Sequence, residues 1–481
     1  MMLKRIILIL MLTAVLPAAA QTLALPNFGD PSREYLSPTD ERHLGSAVVQ
    51  RMRDQGVLID DVLLREYLNS IGQRIAASAD YDGDPFTFFW INGSDINAFA
   101  SPGGFIGVYA GLFLATRNED ELAGVLAHEI AHVVQRHIAR AFADAKRLAL
   151  PMAAAMIAAT VLAASTDNQA ANAAMAGTMA ANAQHQINFT RANEQEADRV
   201  GTQLLARAGF DPNGMSSFFE RLQRLSGSAD SKGFEFLMTH PLPGRRAADT
   251  MDRGVIRPSG TARDREAYYM AKARMTVLIS RNTSDLLQHY QATLASGDYA
   301  DESAERYGYV LALKRAGRYQ EAQTQLARLL KKDPDQLALR IEEADLALAE
   351  GDRDQAWRLF EKTRQLYPDS FALAMYYGRA LATQGDPRKA MQILQPHLRR
   401  NGDDATLYAL YAQAAQRAGD TVTTHAAMAE YHYLNGDLKQ AIEQAELGLR
   451  EASATPYQQA QLRARLRQFQ QEKQQTPTAS P

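Results

Sequence analysis

The chain of 481 residues contains no cysteine and two tryptophans, and neither sign of charge prevails. Without cysteine there can be no disulfide, so stability must come from core packing and from any metal the protein binds. Lys and Arg number 52 against 55 Asp and Glu, a net charge of −3. That balance excludes nucleic acid as the main partner, because a phosphate-binding surface concentrates basic residues. Long apolar runs are scarce too: only Ile6–Leu16 and Leu148–Ala164 approach one. The first is about half of what a spanning helix needs.

That first run has another reading. Lys4 and Arg5 precede it, and Ala18–Ala20 supply the small residues of a cleavage site, so residues 1–20 are expected to be a signal peptide. No cysteine stands at that site, which excludes lipid attachment there. Export without disulfides makes the periplasm the expected location.

With 46% hydrophobic and 22% charged residues, the composition is that of folded globular protein, and the length implies two or three domains. Residues 21–262 mix helical patterns with one β-like stretch. Residues 265–465 read as helix after helix, and 466–481 as a polar, disordered tail. The helical zone repeats: Gly317, Gly351, Gly385 and Gly419 stand 34 residues apart, as do Pro334 and Pro368. Ala322, Ala356 and Ala390 keep the same spacing, where close helix approach requires a small side chain. A period of 34 with a glycine turn between paired helices is the pattern of tetratricopeptide repeats. The period breaks at Asn435–Leu438, so either the last unit is rearranged or the helix from Thr421 to Leu434 serves two pairs.

The chemistry centres on "ELAGVLAHEIAHVVQRH", Glu121 to His137. Residues four apart on a helix differ by about 40° in direction, so His128 and His132 share a face and can reach one ion. Glu129 beside them can deprotonate a water. Acidic Glu119, Asp120 and Glu121 suit the helix N-terminus, and Leu122, Val125, Leu126, Ile130 and Val133 have helical spacing. A catalytic zinc needs a third protein ligand. In "RANEQEADRVG", Glu194 is the candidate, and Asp198, four residues on, is placed to accept the outer N–H of a ligand histidine. His137 lies about 140° around the helix from His132, so it is not expected to face the same ion. His185 is expected to face solvent.

HExxH followed some sixty residues later by ExxxD resembles the HtpX and CAAX prenyl-endopeptidase family of gluzincin-type metalloproteases. "NAFASPGGFIGVYAGLF" (Asn97–Phe113) and "THPLPGRR" (Thr239–Arg246) have counterparts there. The resemblance implies one zinc ion per chain, held by His128, His132 and Glu194, with Glu129 as general base. It implies that His240 is a loop residue able to occupy the remaining zinc position or to stabilise an oxyanion, and that Arg246 has a structural or oxyanion role. The architecture is similar to one subgroup, periplasmic members with tetratricopeptide repeats that act as protease and chaperone for outer-membrane proteins. Outer-membrane β-barrel proteins and their assembly machinery are then the expected partners of the repeats.

Two segments complete the reading. Ser101–Gly104 forms a turn, and Gly103, Gly104, Phe105, Ile106, Gly107, Val108 and Tyr109 are expected to form the substrate-binding strand edge of the cleft. Residues 148–187, rich in Ala and Met, are expected to form a helical hairpin able to touch a membrane surface or a partner. They do not span: His132 and Glu194 flank them and must meet on one ion, and the second half is too polar for a return crossing. The expected fold is mainly α with a small β-sheet, a gluzincin-type metalloprotease domain followed by an α-solenoid of tetratricopeptide repeats.

Overall fold

A computed structural model of the chain describes residues 35–149, 168–226, 236, 240 and 265–475. The signal segment, most of the Leu148–Ala164 run, Arg246 and residues 476–481 lie outside the described residues. No helix among the described residues is long and apolar enough to cross a membrane.

The N-terminal half packs helices around one four-stranded sheet. Helix α1 (Pro38–Asp54) starts on a capping box between Ser37 and Asp40, and α2 (Val62–Ala76) starts on Asp61, whose carboxylate accepts from the Leu64 amide. Strands β1 (Leu58–Ile59), β2 (Thr87–Ile91), β3 (Ala98–Ser101) and β4 (Phe105–Tyr109) lie in the order β1-β2-β4-β3. Successive side chains point to opposite faces. Phe88, Trp90, Ile106 and Val108 therefore enter the main core, while Phe89, Ile91 and Phe105 form a smaller cluster with Val49 of α1. The Trp90 indole donates to the Leu64 carbonyl at 2.8 Å and ties the sheet to α2.

This topology corrects one expectation. Strand β4 is paired with β2 on one side and β3 on the other, so Phe105, Ile106, Gly107, Val108 and Tyr109 form an interior strand. Gly103 and Gly104, both with positive φ, make the tight turn that returns β3 to β4. The outer strand on that side is β3.

After α3 (Ala110–Ala115), α4 (Glu119–Val134) carries the HExxH motif. Asn118 caps it, its carboxamide oxygen accepting from the Glu121 amide at 2.9 Å, and the acidic first turn complements the helix dipole. Leu122, Val125, Leu126 and Ile130 are fully buried, as their spacing predicts. The chain turns at Gln135–Arg136 into α5 (residues 137–149). Helix α6 (Asn168–Arg207) absorbs the second part of the Ala-rich segment into one continuous helix, and α7 (Asn213–Ser226) follows. Two glycines set how closely these helices approach α4. A Cβ on Gly124 would sit 2.6 Å from the Met215 backbone of α7, and one on Gly201 of α6 would sit 3.0 Å from the Ala127 carbonyl.

From Arg265 to Gln475 the structure is a solenoid of helix pairs. Gly317, Gly351 and Gly419 adopt left-handed φ in the turns within pairs, whereas Gly385 does not, because Asp386-Pro387 starts the next helix there. Ala322, Ala356 and Ala390 are fully buried at the helix crossings. Helix Thr421–Leu434 packs on both Ala405–Ala418 and Leu438–Arg450, so it serves two pairs. The last helix, Pro456–Gln475, overrides the expected tail. Residues 466–475 are helical because Phe469 is fully buried, its ring stacked on Tyr433 at 4.9 Å.

The solenoid closes on α2. Arg274, on helix Arg265–Ile279, forks onto the Asp61 carboxylate at 2.7–2.9 Å and also donates to the Tyr307 and Tyr376 hydroxyls. Arg65 reaches Asp404 at 2.6 Å, Thr406 donates to Asp60 at 2.9 Å, and the Ala372 amide donates to Glu66. Two repeat tyrosines thus serve an internal contact with the N-terminal half.

Candidate metalloprotease site

His128 and His132 project from α4 and Glu194 from α6, and His240 meets them. The His240 amide donates to the Phe236 carbonyl at 2.8 Å, and the Phe236 amide donates to the Ile96 carbonyl at 3.2 Å, between β2 and β3. The Phe236 ring stacks on His240 at 4.6 Å. One ligand atom from each of His128, His132, Glu194 and His240 lies within 4.8 Å of all the others.

The separations are those of a coordination shell. Two donors about 2.0–2.1 Å from a tetrahedral ion stand about 3.3 Å apart. His128 Nε2 lies 3.1 Å from His132 Nε2 and 3.4 Å from Glu194 Oε2, and His132 Nε2 lies 3.4 Å from Glu194 Oε1. His240 Nδ1 completes the set at 3.3 Å from His128 Nε2 and 3.0 Å from Glu194 Oε1. His240 Nε2 points the other way, 3.5 Å from Glu129 Oε1. Glu129 is 1% exposed, and its Oε1 makes no hydrogen bond among the described residues. A carboxylate oxygen buried without a donor fits a base held ready for a proton.

The electrostatics agree. Burial opposes charge on His128, but hydrogen bonds to Asp198 and Glu194 outweigh it and push its pKa up to about 10. Burial and the adjacent His128 hold His132 well below the usual imidazole range. Glu194, though burial would raise it, is held far below the usual carboxylate range by His128 and His240. With His128 raised and His132 lowered beside one carboxylate, a compact divalent cation satisfies all four donors at once.

Asp198 Oδ1 lies 3.0 Å from His128 Nδ1, where the spacing on α6 predicts it. His185 is exposed and pairs with Asp144 at 2.8 Å, linking α6 to α5. His137 stays outside the donor cluster, as expected, but it turns toward His132 rather than away from it. It is 4% exposed, and its Nδ1 lies 2.8 Å from His132 Nδ1. The helical projection fails because α4 ends at Val134 and Arg136 takes a left-handed φ of 51°. Glu196, which contacts His137 Nε2 at 3.3 Å, carries no sequence signal separating it from other exposed glutamates. A cleft of about 380 Å³ runs from His132 past Arg136 and Tyr81 to Ser101, Pro102 and Gly103.

Peptidase family M48 matches residues 63–253, the span that holds all these groups, and a tetratricopeptide-repeat profile matches residues 347–414. The protein is a metalloprotease fused to helical repeats. Over 462 residues, 95% of this chain and 93% of the relative, it is 35% identical to the beta-barrel assembly-enhancing protease of Escherichia coli, and over 441 residues 33% identical to that of Yersinia pestis, covering 90% of each chain. The chain belongs to this family of beta-barrel assembly-enhancing M48 proteases. Metalloprotease LoiP of Escherichia coli matches only the protease half, at 29% identity over 38% of this chain and 67% of its own.

Proposed function

We propose that the protein is an exported zinc endopeptidase that degrades misassembled outer-membrane proteins and assists their assembly, with the periplasm as its compartment. One observation carries the enzymatic part: four donors at coordination distances beside a buried, unbonded Glu129 oxygen. Two histidines and a glutamate with a further site suit zinc. Zinc held there would lower the pKa of a water and polarise the scissile carbonyl. Glu129 is placed to accept a proton from the attacking water and to pass it to the leaving amine. Asp198 keeps His128 in the tautomer whose Nε2 faces the ion. An extended peptide adds to the open edge of β3, whose end at Ser101 borders the cleft.

His240 is the gate in this reading. Its Nδ1 beside Glu194 and its Nε2 toward Glu129 support a closed state in which it would occupy the fourth position. Swung out, it frees that position, and its imidazole becomes available to an oxyanion. Arg246 is assigned a supporting role on the same segment. The repeats recruit outer-membrane β-barrel proteins or their assembly machinery, a partner class that the relatives' name supports, and residues 148–187 supply peripheral membrane contact. His240 in its closed position favours a second reading, an assembly scaffold whose protease is mostly latent.

Glu129→Gln tests the first reading. It should lower peptide hydrolysis by at least about 100-fold, the contribution of a general base, with metal content unchanged by elemental analysis. Retention of every cellular function by that variant would transfer the role to the scaffold. His240→Ala should raise turnover several-fold, measured as initial rate on an unfolded protein substrate; unchanged turnover would remove the gate.

A further inference from the structure

We infer that His137 is a positioning residue for His132, so that the two ligand histidines are oriented by different devices. The inference rests on the metal-site reading above. His132 turns Nε2 toward the donor cluster, which in a neutral imidazole leaves the proton on Nδ1. That N–H points at His137 Nδ1, 2.8 Å away. His137 must then accept at Nδ1 and carry its own proton on Nε2, which donates to Glu196 Oε2 at 3.3 Å. Arg140 Nη1 donates to the same Glu196 oxygen at 2.8 Å. The chain of donors therefore has one direction, from His132 through His137 to a carboxylate held by an arginine.

His128 has no such relay: its Nδ1 meets the Asp198 carboxylate directly at 3.0 Å. A direct carboxylate raises the donor strength of His128, while a neutral imidazole fixes the His132 ring without adding a second negative charge beside Glu194.

The backbone is bent to make this contact. Arg136 is the one non-glycine residue with positive φ among the described residues, a conformation that L side chains rarely adopt. Its guanidinium is anchored by the Leu36 carbonyl at 2.9 Å and by Glu41 at 3.2 Å. The left-handed residue ends α4 and returns the next side chain, His137, to the ligand face. In a continuous helix that side chain would point about 140° away.

Zinc affinity of the full chain, measured by chelator competition, tests the relay together with the visible d–d spectrum of the cobalt(II)-loaded protein. His137→Leu should weaken zinc binding about 10–100-fold and alter the cobalt spectrum. His137→Gln, which keeps an acceptor and a donor, should recover most of the loss. Glu196→Ala, at a partly exposed position, should weaken zinc about tenfold and covers the case in which His137→Leu does not fold. Wild-type affinity in His137→Leu or in Glu196→Ala, or equal losses in His137→Leu and His137→Gln, would overturn the relay while leaving the protease reading intact. A wild-type protein that binds no zinc would instead overturn the protease reading, and the relay with it.

Discussion

In the protease half, His128, Glu129, Glu194 and Asp198 are all at least nine-tenths buried and come from two helices separated by the Ala-rich segment. In the repeats the buried surface is mostly alanine, leucine and tyrosine, and most helix contacts join elements about one 34-residue period apart or less. The first half spends stability on a polar constellation that exists only when distant segments are fixed together. The second gains stability unit by unit, each helix pair needing only the next. The difference explains the close helix approaches at Gly124 and Gly201: a site made by long-range contacts needs its helices locked, whereas a solenoid tolerates a rearranged final unit.

The joint between the halves is the sharpest place to break the comparison. Asp61→Ala removes the carboxylate on which Arg274 forks and leaves it only the Glu342 carboxylate, 3.7 Å away; removing one partner of a buried pair costs at most about 3–5 kcal/mol. Equilibrium urea unfolding should then separate into two transitions, with the repeats unfolding apart from the protease half. A single transition would mean that the joint does not couple them.

A smaller effect is expected at the solenoid's end. Phe469→Ala removes a fully buried ring and should cost about 3 kcal/mol, confined to the last helices and read as faster hydrogen exchange near Tyr433. Exchange that rises equally in α4 would show that the repeats are not built unit by unit.

The smallest effect is the pH dependence. Burial raises the Asp61 pKa, but Arg274 more than offsets it, so the folded value lies below the ordinary carboxylate value. A depressed carboxylate contributes stability that is present above the unfolded pKa and is lost as pH falls through the folded one. Asp404, at the Arg65 contact, is shifted the opposite way, because burial outweighs its arginine. Below about pH 4 the joint should weaken through Asp61 and not through Asp404. Asp61→Asn should flatten acid unfolding followed by circular dichroism, and Asp404→Asn should not.

Much of the site was legible because helical spacing is local. His128 and His132, and again Glu194 and Asp198, are four apart, and a turn of helix fixes their common direction whatever surrounds them. The repeats were legible for the same reason, since the 34-residue period marks each turn independently. The strand assignment failed at the next level: Phe105–Tyr109 alternates as a strand, but alternation does not say whether a strand is interior or outer, which depends on which other strands pair with it. The polar composition of residues 466–475 hid a helix whose one large apolar ring finds its pocket on Tyr433.

By itself the sequence determined which polar side chains share a helix face, His128 with His132 and Glu194 with Asp198, through a spacing of four residues, and the repeat register through a period of 34. Tertiary structure alone decided that His240 Nδ1 turns to the cluster across 112 residues of chain, that β3 rather than β4 is the outer strand among the described residues, and that Arg274 of the repeats grips Asp61 of α2. It also decided the place of His137. One left-handed residue, held by side-chain contacts to Leu36 and Glu41 a hundred residues away, undoes the helical projection, and no local pattern encodes a backbone conformation that distant contacts impose.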